Sequence, residues 1–120
     1  ISACLVGSEM CKETAFIHTP HEEGVPDGLT VDSEGYIWSA RWGGWKITRY
    51  DPTGKVERVI SLPVLHPTSC TFGGPDLSEL YITSAWTELG EEQRNNHPLA
   101  GDLFRLNTEV KGQVQRKFAG

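Results

Sequence analysis

The sequence predicts an all-β fold, in which one extra strand precedes two four-stranded antiparallel units. Thirteen glycines and seven prolines are spread over 120 residues, more than the roughly 12% these two types usually supply together, and this spread indicates many turns. Short segments in which apolar and polar residues alternate lie between the turns, as expected of half-buried strands. The whole pattern then occurs a second time further along the chain, which predicts two copies of one unit.

The first part of the chain combines an unpatterned segment with a single predicted strand. Residues 1–13 show no clear period, and we interpret them as an N-terminal leader or pairing segment. Residues 14–19 (TAFIHT) are rich in β-branched and aromatic side chains, which favour a strand. This strand precedes the first complete unit and is the extra strand of the prediction.

The first unit is predicted over residues 26–63. Four segments alternate between apolar and polar side chains, near residues 29–32, 36–40, 45–50 and 55–62. Gly43-Gly44 and Asp51–Gly54 supply turns between them. The stretch Asp32–Gly35 superficially resembles a calcium loop, but it lacks the remaining ligand positions, so a hairpin turn is the better interpretation. Four short strands with tight turns form a β-meander.

The second unit, residues 64–120, repeats the first. Pro67-Thr68-Ser69 stands 41 residues after Pro26-Asp27-Gly28, and the segment 82–85 stands 45 residues after 37–40. Later strands are expected at residues 102–106 and 114–118. An insertion precedes them, and its charged part, Leu89–His97, could form a helical turn but is interpreted as a solvated loop. A repeat of this length is typical of propeller blades.

Composition excludes several classes of function. The formal net charge is -5 without basic clusters, which argues against a nucleic-acid or anionic-membrane partner, and no apolar run approaches the roughly 20 residues of a membrane helix. Cys4, Cys11 and Cys70 form no regular disulfide framework, which indicates free thiols in a reducing cytoplasm. The four histidines lack the spacing of a zinc site.

Long ordered motifs in residues 14–120 resemble the SMP-30/gluconolactonase/luciferin-regenerating-enzyme family. They include VPDGLTVDSEGYIW, RWGGWKITRYDPTGKV and LPVLHPTSCTFGGPDLSELYITSA. The resemblance implies a six-bladed propeller that hydrolyses sugar lactones, notably gluconolactone, with one divalent cation (Ca²⁺, Zn²⁺, Mn²⁺ or Mg²⁺) in the central channel. Only the C-terminal part of the family is matched, so we expect a partial six-bladed β-propeller of about two blades.

The resemblance implies a metal-binding and catalytic role for Asp27, because it matches the Asp of the family's PDG motif. A carboxylate is a hard oxygen ligand that suits such cations, and the same Asp is a candidate general base. The family's other ligands, a Glu and an Asn, and its substrate-orienting Arg and Asn have no counterpart in this sequence. From the residues alone, Pro26-Asp27-Gly28 is also ordinary turn chemistry.

Thr68 and Ser69 hold the matching place in the second unit, and we expect them to contact substrate; the alternative is a polar start to an inner strand. Cys70 has no adjacent base and is not interpreted as a nucleophile. Trp42 and Trp45 could stack on a sugar, but packing between blades is the favoured interpretation.

Two functions compete at this point. The first is a metal-dependent sugar-lactone hydrolase, or a truncated remnant of one, and the second is a non-catalytic binding or assembly module. Two blades are expected to leave two apolar faces open, which favours a homo-oligomer. A trimer would supply six blades and three copies of Asp27, and a dimer that exchanges residues 1–19 is the alternative.

Overall fold

A computed structural model of the chain describes residues 17–19 and 23–114, which form two antiparallel sheets. The first sheet is a meander of four strands: β1 (Val25–Val31), β2 (Ile37–Trp42), β3 (Lys46–Tyr50) and β4 (Val56–Ser61). The second sheet contains β5 (His66–Gly73), β6 (Glu79–Ala85) and β7 (Phe104–Asn107). One short helix, α1 (Glu91–Asn96), lies between β6 and β7. No helix in these ranges has the length and apolar character needed to span a membrane.

The two sheets confirm the all-β expectation and correct it at both chain ends. Residues 17–19 lie in no strand, so this part of the predicted extra strand is wrong, and residues 14–16 lie outside the described ranges. Within the described residues the second sheet has three strands, where four were predicted for the whole chain. Val114 belongs to no strand, and residues 115–118 of that predicted strand also lie outside the described ranges.

The insertion that was interpreted as a solvated loop contains a helix. Helix α1 is solvated as expected, since none of its residues is buried. It begins after Gly90, whose backbone N–H donates to the side chain of Gln93 at 3.3 Å. Glu91 and Glu92 lie in its first turn and Arg94 in its last, an arrangement that the helix dipole favours.

The predicted turns form as expected. Gly35 (φ 82°) and Gly54 (φ 92°) have the left-handed backbone that glycine tolerates best. In the second of these turns, the Oδ1 atom of Asp51 accepts from the N–H groups of Thr53 at 2.9 Å and Lys55 at 3.0 Å. The Thr53 hydroxyl also hydrogen-bonds to Asp51 and contributes most to the lowering of the Asp51 pKa below its ordinary value. The two backbone N–H groups lower it further.

The core lies between the two sheets. Trp38 on β2 packs edge-to-face on Phe72 of β5, with ring centroids 5.6 Å apart. The buried residues of this cluster come from both sheets and from the segment after β7: Trp38, Ala40, Ile47, Cys70, Phe72, Leu80, Ile82 and Val110. The two sheets are therefore held face to face by apolar burial, the dominant favourable term in folding.

The side of the second sheet that faces away from this core is polar. It carries Thr71, Tyr81, Thr83 and Arg105, which alternate along their strands with the core residues. The expectation of an open apolar face is wrong here, because the outward positions hold hydroxyl and charged side chains.

The opposite side of the first sheet is buried at its centre but open towards its outer strands. Ser39, Arg41 and Thr48 are each 0% exposed there. The Arg41 guanidinium donates to the hydroxyl of Thr19 at 3.2 Å and to the carbonyl of Gly24 at 2.9 Å. On the same side Leu29, Val56 and Val59 are 37%, 55% and 50% exposed. The expected open apolar face is therefore present only in part on the first sheet.

A buried ion pair fastens the β1–β2 turn to the rest of the first sheet. Asp32 is 0% exposed, and its Oδ2 atom accepts from Arg49 Nη2 at 2.7 Å and from Trp38 Nε1 at 2.8 Å. Burial alone would lower the pKa of Arg49, but hydrogen bonds to Asp32, Glu34 and Glu57 raise it above its ordinary value. The Asp32 backbone carbonyl also accepts from the side chain of Gln113 at 2.9 Å, which ties the last described segment to the first sheet.

Candidate functional site

The residues singled out from the sequence lie at one end of the two sheets. Antiparallel pairing places Val25 opposite Trp42 in the first sheet and His66 opposite Ala85 in the second. The Trp45 N–H donates to the carbonyl of Leu65 at 3.3 Å and joins the two sheets at this end. We call this end the site end; it comprises residues 25–28, 42–46, 62–69 and 84–103.

Both sheets carry a β-bulge at the site end, at matching positions. In β1 the register shifts between Pro26 and Leu29, so that Asp27 and Gly28 lie opposite a single residue of β2. In β5 the register shifts between Pro67 and Ser69, at Thr68. Bulges redirect side chains and occur often beside active sites. The sequence repeat therefore reproduces a backbone irregularity as well as a strand pattern.

The structure brings the strands of Asp27 and Ser69 together. Asp27 is exposed on β1, and its neighbour Gly28 packs against Ser69 of β5. The hydroxyl of Thr68 lies 2.6 Å from the hydroxyl of Thr83, where either group can donate. The Thr83 hydroxyl also donates weakly to the Ser69 carbonyl at 3.4 Å. The strand of Asp27 thus packs against the strand of Ser69, whereas the Thr68 hydroxyl bonds to Thr83, on the side of the second sheet that faces away from the core.

Two tryptophan–histidine pairs surround this region. Trp42 stacks on His66 with ring centroids 4.1 Å apart and an interplanar angle of 12°. Trp45 meets His97 edge-on at 5.1 Å. Each pair joins the first sheet to the second sheet or its loop, which agrees with the expected packing role of both tryptophans.

His66 is a site-end residue that the sequence analysis did not single out. Its imidazole is 6% exposed, and its Nδ1 atom has no hydrogen-bond partner. Burial lowers the pKa of His66 below its ordinary value, and the negative charge of Glu88 opposes this change. The only sequence signal was an imidazole directly before the Pro67-Thr68-Ser69 motif.

Cys70 lies on β5 just beyond the site end and is chemically quiet. Its side chain is 5% exposed, and its thiol donates to the Trp38 carbonyl at 3.4 Å. Burial raises the pKa of Cys70 to about 12, so the reactive thiolate is scarce at neutral pH. The structure supports the expectation that Cys70 is not a nucleophile.

Asp27 alone does not make a metal site. Among residues 17–19 and 23–114, no group of three or more His, Cys, Asp or Glu side chains is arranged to hold a metal ion. Divalent calcium is usually bound by six to eight oxygen ligands. The described residues of one copy therefore do not fit a complete cation site.

The fold defines a class of protein built from repeated antiparallel sheets, with a bulged strand start in each sheet at one end. The family model described as the SMP-30/Gluconolactonase/LRE-like region matches residues 3–86. The chain belongs to this family.

Similar proteins share sequence and fold with most of the chain. Regucalcin from Xenopus laevis is 42% identical over 101 residues, which are 82% of this chain and 34% of the relative. Pentonolactonase XacC from Haloferax volcanii is 42% identical over 104 residues, or 83% of this chain and 36% of the relative. The crystal structure of a calcium-binding regucalcin from Agrobacterium tumefaciens shares 38% identity and a TM-score of 0.81, and covers 85% of this chain and 35% of that one. The chain thus spans about a third of the length of these relatives.

Proposed function

We propose that this chain contributes part of the active site of a sugar-lactone hydrolase that uses a divalent cation. The observation that carries the proposal is that both sheets begin with a bulge at matching positions and that Gly28, next to Asp27, packs against Ser69. The similarity to a protein named pentonolactonase supports the substrate class.

The described side chains suit the steps of lactone hydrolysis. Water attacks the carbonyl carbon of the lactone, and the bond from that carbon to the ring oxygen breaks to give an aldonic acid. The exposed Asp27 carboxylate acts as the general base that takes a proton from the attacking water and returns it to the ring oxygen. The hydroxyls of Thr68 and Ser69 orient the sugar hydroxyls by hydrogen bonds. The cation requires ligands beyond the described residues of one copy, so no step is assigned to it.

The proposed architecture is part of a six-bladed propeller, with each sheet as one blade. The chain covers about a third of its relatives, as two blades of six would. Three copies would complete such a ring, with Asp27 repeated around its axis; a dimer that exchanges residues 1–19 is the alternative. A ring would require the buried side of the first sheet, which includes Ser39 and Thr48, to accept a neighbouring copy. We also propose a reducing cytoplasmic location for the protein, because Cys70 is a free thiol.

The test combines mass and activity on one sample of the full chain. Light scattering gives the oligomeric state, and a pH indicator follows hydrolysis of D-glucono-δ-lactone with Ca²⁺, Mn²⁺, Zn²⁺ or Mg²⁺. We expect turnover above the buffer blank in the assembled species, and a loss of about 10²–10⁴-fold in Asp27→Asn, the usual contribution of a general base. Asp102→Asn, an exposed carboxylate on the loop before β7, is the matched control and keeps the wild-type rate.

A non-catalytic binding or assembly module is the second candidate function. The observation that favours it is the lack of a complete ligand group in the described part of the chain. A stable oligomer that hydrolyses the lactone no faster than the metal-containing blank would overturn the enzyme proposal and support this module.

A further inference from the structure

A cleft lies at the site end, beside the loop that joins β6 to β7. Its volume is about 520 Å³, within the range of about 300–1,000 Å³ that is usual for small-molecule sites. Asp27, Thr68 and Ser69 do not line it. The residues that line it include Trp86, Glu91, Arg94, Asn95, His97 and Pro98.

The loop that forms this cleft is held in place from several directions. The Ser84 hydroxyl donates to the carbonyl of Asp102 at 2.6 Å and accepts from the Gly101 N–H at 3.1 Å. Leu89 is buried. His97 packs edge-on against Trp45 of the first sheet. A cleft whose walls are fixed before binding loses less entropy when a ligand enters.

The lining combines one flat apolar surface with planar polar groups. Trp86 is 49% exposed. Because the Arg94 guanidinium covers one face of its indole, the opposite face is the one offered to the apolar C–H side of a sugar ring. The Arg94 guanidinium lies 4.0 Å from the centre of that indole and presents several N–H donors in a fixed plane. The Asn95 amide can donate and accept, and the Glu91 carboxylate accepts. Vicinal hydroxyl groups on a sugar ring match this set of donors and acceptors.

The net charge of the 86–103 loop indicates which kind of sugar the cleft binds. Glu91 lines it, Glu88 and Glu92 belong to the same loop, and Arg94 is the one Arg or Lys in residues 86–103. The loop is therefore net negative, which disfavours a carboxylate-bearing ligand such as an aldonate. We propose that this cleft binds a neutral, hydroxyl-rich sugar ring on Trp86, independently of Asp27.

The experiment follows the tryptophan indole N–H resonances of the ¹⁵N-labelled full chain by NMR. The probes are methyl β-D-glucopyranoside and sodium gluconate at equal ionic strength. We expect the glycoside to shift the Trp86 resonance, identified by its loss in Trp86→Ala, with saturation in the millimolar range. Gluconate should bind at least fivefold more weakly. No shift of the Trp86 resonance at 100 mM glycoside, or equal affinity for gluconate, would overturn the proposal.

Variants separate this cleft from the proposed lactonase site. Arg94→Met keeps an apolar stem over the indole but removes the donors, and it should weaken glycoside binding at least fivefold. Leu103→Ala removes an exposed apolar side chain outside the cleft lining, and Asp27→Asn removes the proposed base; both should bind as wild type. Loss of binding in Asp27→Asn but not in Arg94→Met would place the sugar at Asp27 and refute the cleft. Glycoside binding without lactone hydrolysis would contradict only the lactonase proposal.

Discussion

Gly28 on β1 lies so close to Ser69 on β5 that a Cβ atom at Gly28 would stand 2.8 Å from the Cα atom of Ser69. The obstructing atom belongs to the backbone, so a change of side-chain rotamer cannot relieve the contact. The glycine of the Pro26-Asp27-Gly28 motif is therefore required for close approach of two strands. This approach sets the β1 bulge that contains Asp27 beside Ser69 of the second sheet.

Gly28→Ala should push β1 away from β5 and destabilise the fold by about 1–3 kcal/mol, the usual cost of overpacking. Urea unfolding followed by tryptophan fluorescence measures this loss. Gly90→Ala is the matched control, because no atom lies within 4 Å of a Cβ added there. Equal urea midpoints for Gly28→Ala and Gly90→Ala would show that β1 and β5 can move apart without loss of stability.

Asp32→Asn should destabilise the chain by about 1–3 kcal/mol, because it removes the carboxylate closest to the buried Arg49 charge while Glu34 and Glu57 still pair with that charge. Glu57→Gln is the comparison: Glu57 also pairs with Arg49, at 3.1 Å, but its side chain is 32% exposed. Exposed pairs contribute at most about 1 kcal/mol. Chemical unfolding of both variants tests the ranking, and a smaller loss for Asp32→Asn than for Glu57→Gln would refute the role given to the buried pair.

His66 should make stability depend on pH. Its pKa is lowered in the folded state, so the unfolded chain, with a histidine pKa of about 6.5, binds the proton first as pH falls. Stability should therefore be constant above about pH 6.5 and decrease below it, until the folded state is also protonated. His66→Phe keeps a ring against Trp42 and removes this contribution. Urea midpoints at pH 7.5 and 5.0 should differ less in His66→Phe than in wild type, and an unchanged difference would contradict the prediction.

Cys70 should resist thiol reagents in the folded protein, because burial both hides the thiol and raises its pKa to about 12. Labelling with dithionitrobenzoate in a Cys4→Ser, Cys11→Ser background isolates this residue. We expect negligible reaction over an hour without denaturant and one thiol per chain in urea. Rapid labelling of the native protein would show that the core between the sheets opens readily.

Local patterns in the sequence were sufficient to predict most strands and turns, but they missed helix α1 and predicted a strand at residues 17–19 where the structure has none. Alternating side chains report which face of a strand is buried, and glycines such as Gly35 and Gly54 permit the left-handed backbone that their turns use. The resemblance singled out Asp27, and the repeat singled out Thr68 and Ser69 at the matching place of the second sheet.

Contacts between residues distant in the chain were decided by the tertiary structure. No local period indicated that Asp32 would meet Arg49 across 17 positions, that Trp42 would cover His66, or that the 86–103 loop would form a cleft. In sequence Asp32 belongs to an ordinary polar turn; only folding of the strands and the segment after β7 around it buries its carboxylate. Strand character follows from neighbours two residues apart, whereas a site depends on how two sheets pack, and the side chains that meet there are far apart in sequence.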